Sequence, residues 1–154
     1  MGNEIIEYCF KDYEEKDFEI LYKIKKEGLK WYVEKFYGEW NEEFQIQCFK
    51  DFIEKEKENI SIITCENEVI GIFTNSIDEN DESVIGLFCI DKKYRGKGIG
   101  TQILQKQLQE DKNNGKNTIL RVFKENPARF LYQKVGFEIY EETKSHYKMR
   151  RKIN

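Results

Sequence analysis

The chain has 154 residues, of which 36% are charged, and a formal net charge of −3 at pH 7. This length is typical of one domain with a single hydrophobic core, so we expect one domain over residues 1–154. The 39% of apolar residues, with 11 Phe and 9 Tyr, exclude a disordered tail. The negative balance argues against nucleic acid or an anionic membrane as a partner, because both attract proteins with a positive field.

The four cysteines show none of the spacings that bind a metal or build a disulfide framework. Each one lies in an apolar stretch, where cysteine usually packs as a small buried hydrophobe. We therefore expect buried thiols at Cys9, Cys48, Cys65 and Cys89, and no metal. The first residues lack the features of an export signal, and no window approaches the ~20 apolar residues of a membrane span. These features predict a cytoplasmic protein without a membrane partner.

The N-terminal third predicts one strand followed by two helices. A helical stripe of apolar residues covers 21–36, and Gly28 inside it is a candidate for a bend or a break. Asn41 is a candidate N-cap for the second helix, whose first turn carries two glutamates. The strand is indicated by four apolar residues, Ile5, Ile6, Tyr8 and Phe10.

The rest of the chain alternates between strands and helices in an α+β pattern of β-α-α-β-β-β-α-β-α-β-β. The strand over 84–90 is apolar at almost every position, which is typical of a central strand covered on both faces. The remaining predicted elements are strands over 60–65 and 69–74 around a turn at 66–68, a helix over 98–113 that stops at Gly115, a strand over 118–123, a helix from Asn126 to Gly136, and strands over 137–141 and 144–151.

The segment 84–100 reads VIGLFCIDKKYRGKGIG, and it passes from a buried strand through a basic, glycine-rich loop directly into a helix. The N–H groups in a first helical turn have no intrahelical partners, and the helix dipole adds about half a positive charge there. Such a loop suits a phosphate or pyrophosphate, and its glycines allow close approach and positive φ. The alternative is a plain turn between strand and helix. The loop is neither a Walker A loop nor a dinucleotide-binding fingerprint.

The Arg-x-x-Gly-x-Gly spacing from Arg95 to Gly100 resembles the pyrophosphate-binding signature of the GNAT N-acetyltransferase superfamily. A second segment, 126–137 with the sequence NPARFLYQKVGF, resembles the next helix of that family, and the predicted element order resembles its fold over most of the chain. The resemblance implies a mixed central sheet, splayed at the cofactor cleft and flanked by helices. It also implies transfer of an acetyl group from acetyl-CoA to a primary amine by direct attack, without a metal. Lys92 is a small departure, since many relatives have proline in this stretch.

The resemblance also implies which residues bind coenzyme A. In the family, the strand before the loop offers backbone groups to the pantetheine arm, and the loop amides hold the pyrophosphate. The matching positions are Phe88, Ile90, Arg95, Gly96, Lys97, Gly98, Ile99, Gly100, Asn126 and Arg129. Helix capping explains Asn126 equally well. For Arg129, a solvated surface arginine is the alternative.

Tyr132 matches a tyrosine that in many relatives protonates the departing thiolate. A free thiol has a pKa of about 8.5 and a phenol has a pKa of about 10, so a proton shared between them is energetically reasonable. A tyrosine packed against the core is the alternative. On the acceptor side, an amine attacks only when neutral, and His146 and Glu82 are the candidate bases. For the single histidine, a surface or structural role is the alternative.

The acceptor and the oligomeric state are left open at this stage. A small-molecule amine and a peptide N-terminus both fit the resemblance, as do a monomer and a homodimer. One rival function is a coenzyme A-binding sensor or regulatory domain without catalysis. A second is a nucleotide or nucleic-acid module that uses Arg95 and Lys97, which the net charge disfavours. Cys89, beside the expected thioester path, leaves acyl-cysteine chemistry as a further route.

Overall fold

The structure is a computed structural model that describes residues 6–153. Its strands and helices follow the predicted order, so the α+β prediction is confirmed. The helices are α1 Phe18–Tyr37, α2 Glu42–Glu56, α3 Ile99–Asn113 and α4 Ala128–Lys134. The strands are β1 Cys9–Lys11, β2 Ile60–Cys65, β3 Glu68–Ile77, β4 Ser83–Ile90, β5 Thr118–Phe123, β6 Glu138–Glu142 and β7 His146–Arg151.

The strands form a mixed sheet in the order β1-β2-β3-β4-β5-β7-β6. Strands β4 and β5 run parallel, with Ser83 opposite Thr118 and Val84 opposite Ile119. A parallel pair needs a crossover connection, and α3 supplies it. The pairs β1–β2, β2–β3, β5–β7 and β6–β7 are antiparallel.

By its internal contacts the chain divides into two compact units, Met1–Thr74 with Leu87–Thr101, and Asn75–Gly86 with Gln102–Asn154. The prediction of one domain over 1–154 stays a prediction.

In the first unit, α1 and α2 bury their apolar faces together with residues of β2, β3 and β4. The Asn41 side chain accepts the N–H of Phe44 at 2.9 Å, which confirms the predicted N-cap of α2. The helix α1 runs without a break through Gly28, so a split of the helix there is wrong, and a bend stays a prediction. Buried apolar members of this core are Leu21, Ile24, Phe49, Ile53, Ile60, Ile62 and Ile72.

The β2–β3 hairpin turns on two residues rather than the predicted three. Glu66 and Asn67 have φ of 51° and 66°, and Cys65 pairs with Glu68 on either side of them. Positive φ at both central residues matches the right-handed twist of the flanking strands. The first strand is shorter than predicted: β1 begins at Cys9, and the predicted start at Ile5 lies outside the described residues.

In the second unit, β5 lies beside β7, and β7 beside β6. Gly115 ends α3 as predicted, with φ of 70° and its N–H donated to the Lys112 carbonyl at 3.1 Å. The last two strands begin later than predicted, at Glu138 and His146. The core of this unit includes Ile103, Leu104, Leu108, Leu120, Val122, Phe137 and Met149.

Candidate active site

Strand β4 has one deeply buried face and one that is partly open. Ser83, Ile85 and Cys89 are buried, whereas Gly86 is exposed and Phe88 is half-buried. Successive side chains of a strand point to opposite faces, so the exposed and half-buried positions share one face. The expectation of a strand covered on both faces is therefore wrong for the face that carries Phe88.

After β4, the chain forms a glycine-containing loop before α3 begins. Asp91 starts this loop, since its side chain accepts the N–H of Lys93 at 3.0 Å and its own N–H is donated to the Ile70 carbonyl at 2.7 Å. Gly96 and Gly98 have φ of 73° and 86°, a conformation that favours glycine. The loop residues 95–98 are exposed, which an anion site requires.

The first turn of α3 lies against the open face of β4. Ile99 is buried and anchors the helix start. A β-carbon built on Gly100 would lie 3.4 Å from Ile90 Cδ1 and 3.8 Å from Phe88 Cζ. The structure thus brings Phe88, Ile90 and Gly100 together, and their contacts with coenzyme A stay predictions. The loop fits a diphosphate, because positive-φ glycines and a first helical turn present N–H donors at an exposed, basic position.

Arg95 folds back onto the protein rather than extending from the loop. Its Nε donates to the Ile90 carbonyl at 2.8 Å. Its Nη2 lies 3.3 Å from the position that a β-carbon on Gly28 would occupy, so its guanidinium reaches α1. The sequence predicted that Arg95 lies in the loop, but it did not predict which residues its side chain contacts. The available signal was Gly28, because a glycine inside a helical stripe often marks a close approach.

In the second unit, Asn126 and Arg129 lie at the start of α4. For both, the sequence left a role other than coenzyme A binding open. The Asn126 Oδ1 accepts the N–H of Ala128 at 2.9 Å, so Asn126 caps this helix. The Arg129 guanidinium lies 4.7 Å from the ring centroid of Phe130 and 5.1 Å from that of Tyr147. These rings hold Arg129 by cation–π contact. The coenzyme A contacts of both residues stay predictions.

Tyr132 is half-buried on α4, and its position is fixed by Phe137. The two rings meet edge to face with centroids 5.8 Å apart, and the Phe137 N–H donates to the Tyr132 carbonyl at 3.0 Å. Phe137 is itself buried. Tyr132 therefore packs against the core through Phe137, and its role as an acid stays a prediction.

His146 is part of a small cluster at the start of β7. Its Nδ1 lies 2.7 Å from the Ser145 Oγ, and its ring centroid lies 4.0 Å from that of Phe123. Burial, and secondarily the charge of Arg121, lower the pKa of His146 below its usual value. A lowered pKa keeps the imidazole neutral at pH 7, the form that accepts a proton. The sequence gave no indication of the Ser145 contact.

Glu82 is committed to an ion pair. Arg150 donates to its carboxylate from Nε at 2.7 Å and from Nη2 at 2.9 Å, and the Arg150 guanidinium lies 4.1 Å from the Tyr140 ring centroid. Such bidentate pairs are among the stronger polar contacts in proteins. Glu82 and Arg150 are far apart along the chain, so spacing could not predict the pair.

The cysteines are buried less uniformly than expected. Cys65 and Cys89 are buried, Cys48 is half-buried, and Cys9 is exposed. Cys9 lies on β1 with its side chain on an uncovered face, which the apolar stretch around it did not reveal. Burial raises the pKa of Cys89 to about 11, although Lys25 and Arg95 act to lower it. Within 6–153, no cluster of three or more His, Cys, Asp or Glu side chains is placed to hold a metal ion. In the same range, no helix is long and apolar enough to span a bilayer.

The fold and the loop before α3 together define the GNAT class of proteins. A family model described as an acetyltransferase (GNAT) domain matches residues 9–150. The chain belongs to this family. Its matched region includes the whole of the 84–100 segment and the helix that carries Tyr132.

Relatives and solved structures agree with this assignment. The chain is 26% identical to an uncharacterized N-acetyltransferase of Methanocaldococcus jannaschii over 98% of its length, and spans 62% of that protein. It is 35% identical to the ribosomal protein bS18-alanine N-acetyltransferase of Haemophilus influenzae over 53% of its length, and spans 56% of that protein. The PaiA N-acetyltransferase of Thermoplasma acidophilum, solved in complex with coenzyme A, shares the fold with a TM-score of 0.72 at 20% identity, over 96% of this chain and 99% of that one. The predicted fold is thus confirmed.

Proposed function

We propose that this protein is a cytoplasmic N-acetyltransferase that moves an acetyl group from acetyl-CoA to a primary amine. The observation that carries the proposal is the exposed loop between β4 and α3. Gly96 and Gly98 adopt positive φ there, and the first turn of α3 lies beside Phe88 and Ile90. A coenzyme A-bound neighbour of the same fold supports this cofactor.

The proposed roles follow from the chain's own groups. When bound, acetyl-CoA supplies an activated acetyl group. The N–H groups of residues 96–100 hold its diphosphate, with Lys97 adding charge. As the amine nitrogen bonds to the carbonyl carbon and the carbon–sulfur bond breaks, Tyr132 gives a proton to the sulfur. His146, kept neutral by burial, accepts the proton that the amine loses, and Glu82 is the second candidate for that role.

For the acceptor we propose an amine such as a peptide N-terminus. One relative is named as an N-acetyltransferase that acts on alanine of ribosomal protein bS18, and this acceptor supports a peptide amine. A small-molecule amine is the second candidate. Coenzyme A binding without transfer, as in a sensor domain, is the alternative function.

The test is a thiol-release assay with acetyl-CoA against a panel of amines that includes alanine-initiated peptides and polyamines. We expect release with at least one acceptor. Tyr132→Phe should lower kcat by about tenfold or more and leave the Kd for coenzyme A unchanged, because the hydroxyl acts only in the transition state. Tyr37→Phe, at an exposed tyrosine of α1, is the matched control.

The outcomes separate the alternatives. An unchanged rate in Tyr132→Phe would remove the acid assignment. Coenzyme A binding with no release for any acceptor would favour the sensor. Thermal protection by RNA or ATP, but not by acetyl-CoA, would favour a nucleotide-binding module.

A further inference from the structure

Gly28 is an unexpected residue at the middle of a 20-residue helix. Glycine inside a helix is less favourable than alanine because it loses more backbone freedom on folding. Gly28 is not among the residues with positive φ, so its backbone does not require glycine. The reason for a glycine must therefore lie in what a side chain would meet.

Among the residues that the structure describes, a β-carbon at Gly28 would meet the Arg95 side chain. Within 4 Å, the atom in its way is Arg95 Nη2, at 3.3 Å. That distance is tighter than ordinary van der Waals contact, so an added methyl group would press on the guanidinium and shift it by a few tenths of an ångström. The absence of a side chain at position 28 leaves the space that Arg95 occupies.

The same guanidinium is also bound to the end of β4. Its Nε donates to the Ile90 carbonyl at 2.8 Å, so one side chain contacts both α1 and the strand before the loop. Arg95 directly precedes Gly96 and is three residues before Gly98, the two residues with positive φ. Glycines have the largest conformational freedom to lose when a loop is ordered. An anchor immediately before them reduces the part of that cost that falls on ligand binding.

We propose that Gly28 and Arg95 form a positioning pair, in which the space at Gly28 seats the Arg95 guanidinium and so preorganises the 96–100 loop for the diphosphate of coenzyme A. The inference rests on the proposed function. It gives Arg95 a role through the loop backbone, where the sequence had suggested only a positive charge. It also assigns a role to Gly28, which lies 67 positions from Arg95 in the chain.

Isothermal titration calorimetry, which measures the Kd for coenzyme A, tests the pair. We expect Gly28→Ala to raise Kd by about fivefold, an effect of the size that contacting pairs show. Its melting temperature should stay the same or rise by about 2–4 °C, because alanine is the better helix former. Loss of affinity without loss of stability is a result that a merely structural role would not give. Lys30→Ala, at an exposed position of α1, is the control and should bind as the wild type does.

Three further variants, Arg95→Lys, Arg95→Ala and the double variant, separate positioning from charge. Arg95→Lys keeps the positive charge but loses the Nε donor, so we expect it to weaken binding about as much as Arg95→Ala. Gly28→Ala combined with Arg95→Ala should bind no more weakly than Arg95→Ala alone. Wild-type affinity in Gly28→Ala, full additivity in the double variant, or near wild-type affinity in Arg95→Lys would each overturn the pair.

A readout without ligand keeps this inference distinct from the proposed function. In the ligand-free protein, the Arg95 Nε–H should give a protected side-chain resonance in a nitrogen–proton correlation spectrum, and Gly28→Ala should shift it and speed its exchange. An unaltered resonance would disprove the contact, whatever the protein binds. A protected resonance in a wild-type protein that does not bind coenzyme A would instead disprove the proposed function.

Discussion

Cys89 shows how burial decides what a single side chain can do. It lies on β4 between Phe88 and Ile90, but its side chain is on the opposite, buried face of the strand. Burial raises its pKa to about 11, and the nearby cations Lys25 and Arg95 do not offset that effect. Because the thiolate is the nucleophile, a thiol of this pKa is almost wholly inactive at neutral pH. Direct attack by the amine is therefore the better supported route.

Cys89→Ala should consequently keep kcat/KM for acetyl-CoA within about threefold of wild type, since only a small cavity is created. Alkylation of the native protein by iodoacetamide at neutral pH, followed by peptide mass spectrometry, should modify the exposed Cys9 first and Cys89 last. An acetylated Cys89 in a protein quenched during turnover would contradict this expectation and restore the acyl-cysteine route.

At the scale of elements, Gly71 sets how closely β3 approaches the end of β4. A β-carbon on Gly71 would lie 2.4 Å from the Cys89 carbonyl oxygen and 3.2 Å from Ile90 Cα. These obstacles are backbone atoms, which cannot rotate away as a side chain can. A glycine in a strand interior commonly marks such a close approach of another backbone. The end of β4, from which the loop departs, is thereby held in place by the absence of a side chain on β3.

Gly71→Ala should therefore destabilise the protein. Overpacking of this kind costs about 1–3 kcal/mol, which corresponds to a fall of roughly 2–12 °C in melting temperature. Gly28→Ala is the matched control, since it adds the same methyl group but opposes a flexible side chain, and its melting temperature should not fall. Differential scanning calorimetry of the two variants measures the contrast. Equal melting temperatures in both would mean that β3 and β4 can separate at little cost.

The elements that could be predicted from the sequence are those fixed by local chemistry. Hydrophobic periodicity and caps gave the order of all strands and helices, and Asn41 and Gly115 gave two helix ends correctly. The errors arose where tertiary contacts outweigh local preference. Gly28 does not interrupt α1, because the rest of that helix packs into the core. Cys9 is exposed although its neighbours are apolar.

At the scale of the whole molecule, the candidate site also has one part that the sequence predicts and one part that it does not. The anion loop was predictable, because its chemistry lies in one contiguous stretch of glycines and basic residues. The contact of Arg95 with α1 and the ion pair of Glu82 were not predictable, since each contact joins residues far apart in sequence. Arg95 reaches Gly28 across 67 positions, and Arg150 reaches Glu82 across 68. Long-range contacts of this kind are set by packing and leave no periodic signal.

The overall charge and the local charge of this protein have opposite signs, and both act on a polyanionic ligand. The chain carries a formal charge of −3, which opposes coenzyme A at long range. Three lysines, Lys92, Lys93 and Lys97, lie within six residues at the loop and attract it at short range. Salt screens both, so the sign of the salt effect tells which field governs binding.

We expect the local field to govern. The Kd for coenzyme A should rise by about threefold or more as ionic strength increases from about 0.05 M to about 0.5 M, because the screening length falls about threefold over this range. Joint replacement of Lys92 and Lys93 by glutamine should flatten this dependence, whereas the same change at the exposed Lys55 and Lys57 should not. A Kd that falls with added salt would show that the net negative charge dominates, and that the loop holds the diphosphate chiefly through its backbone N–H groups.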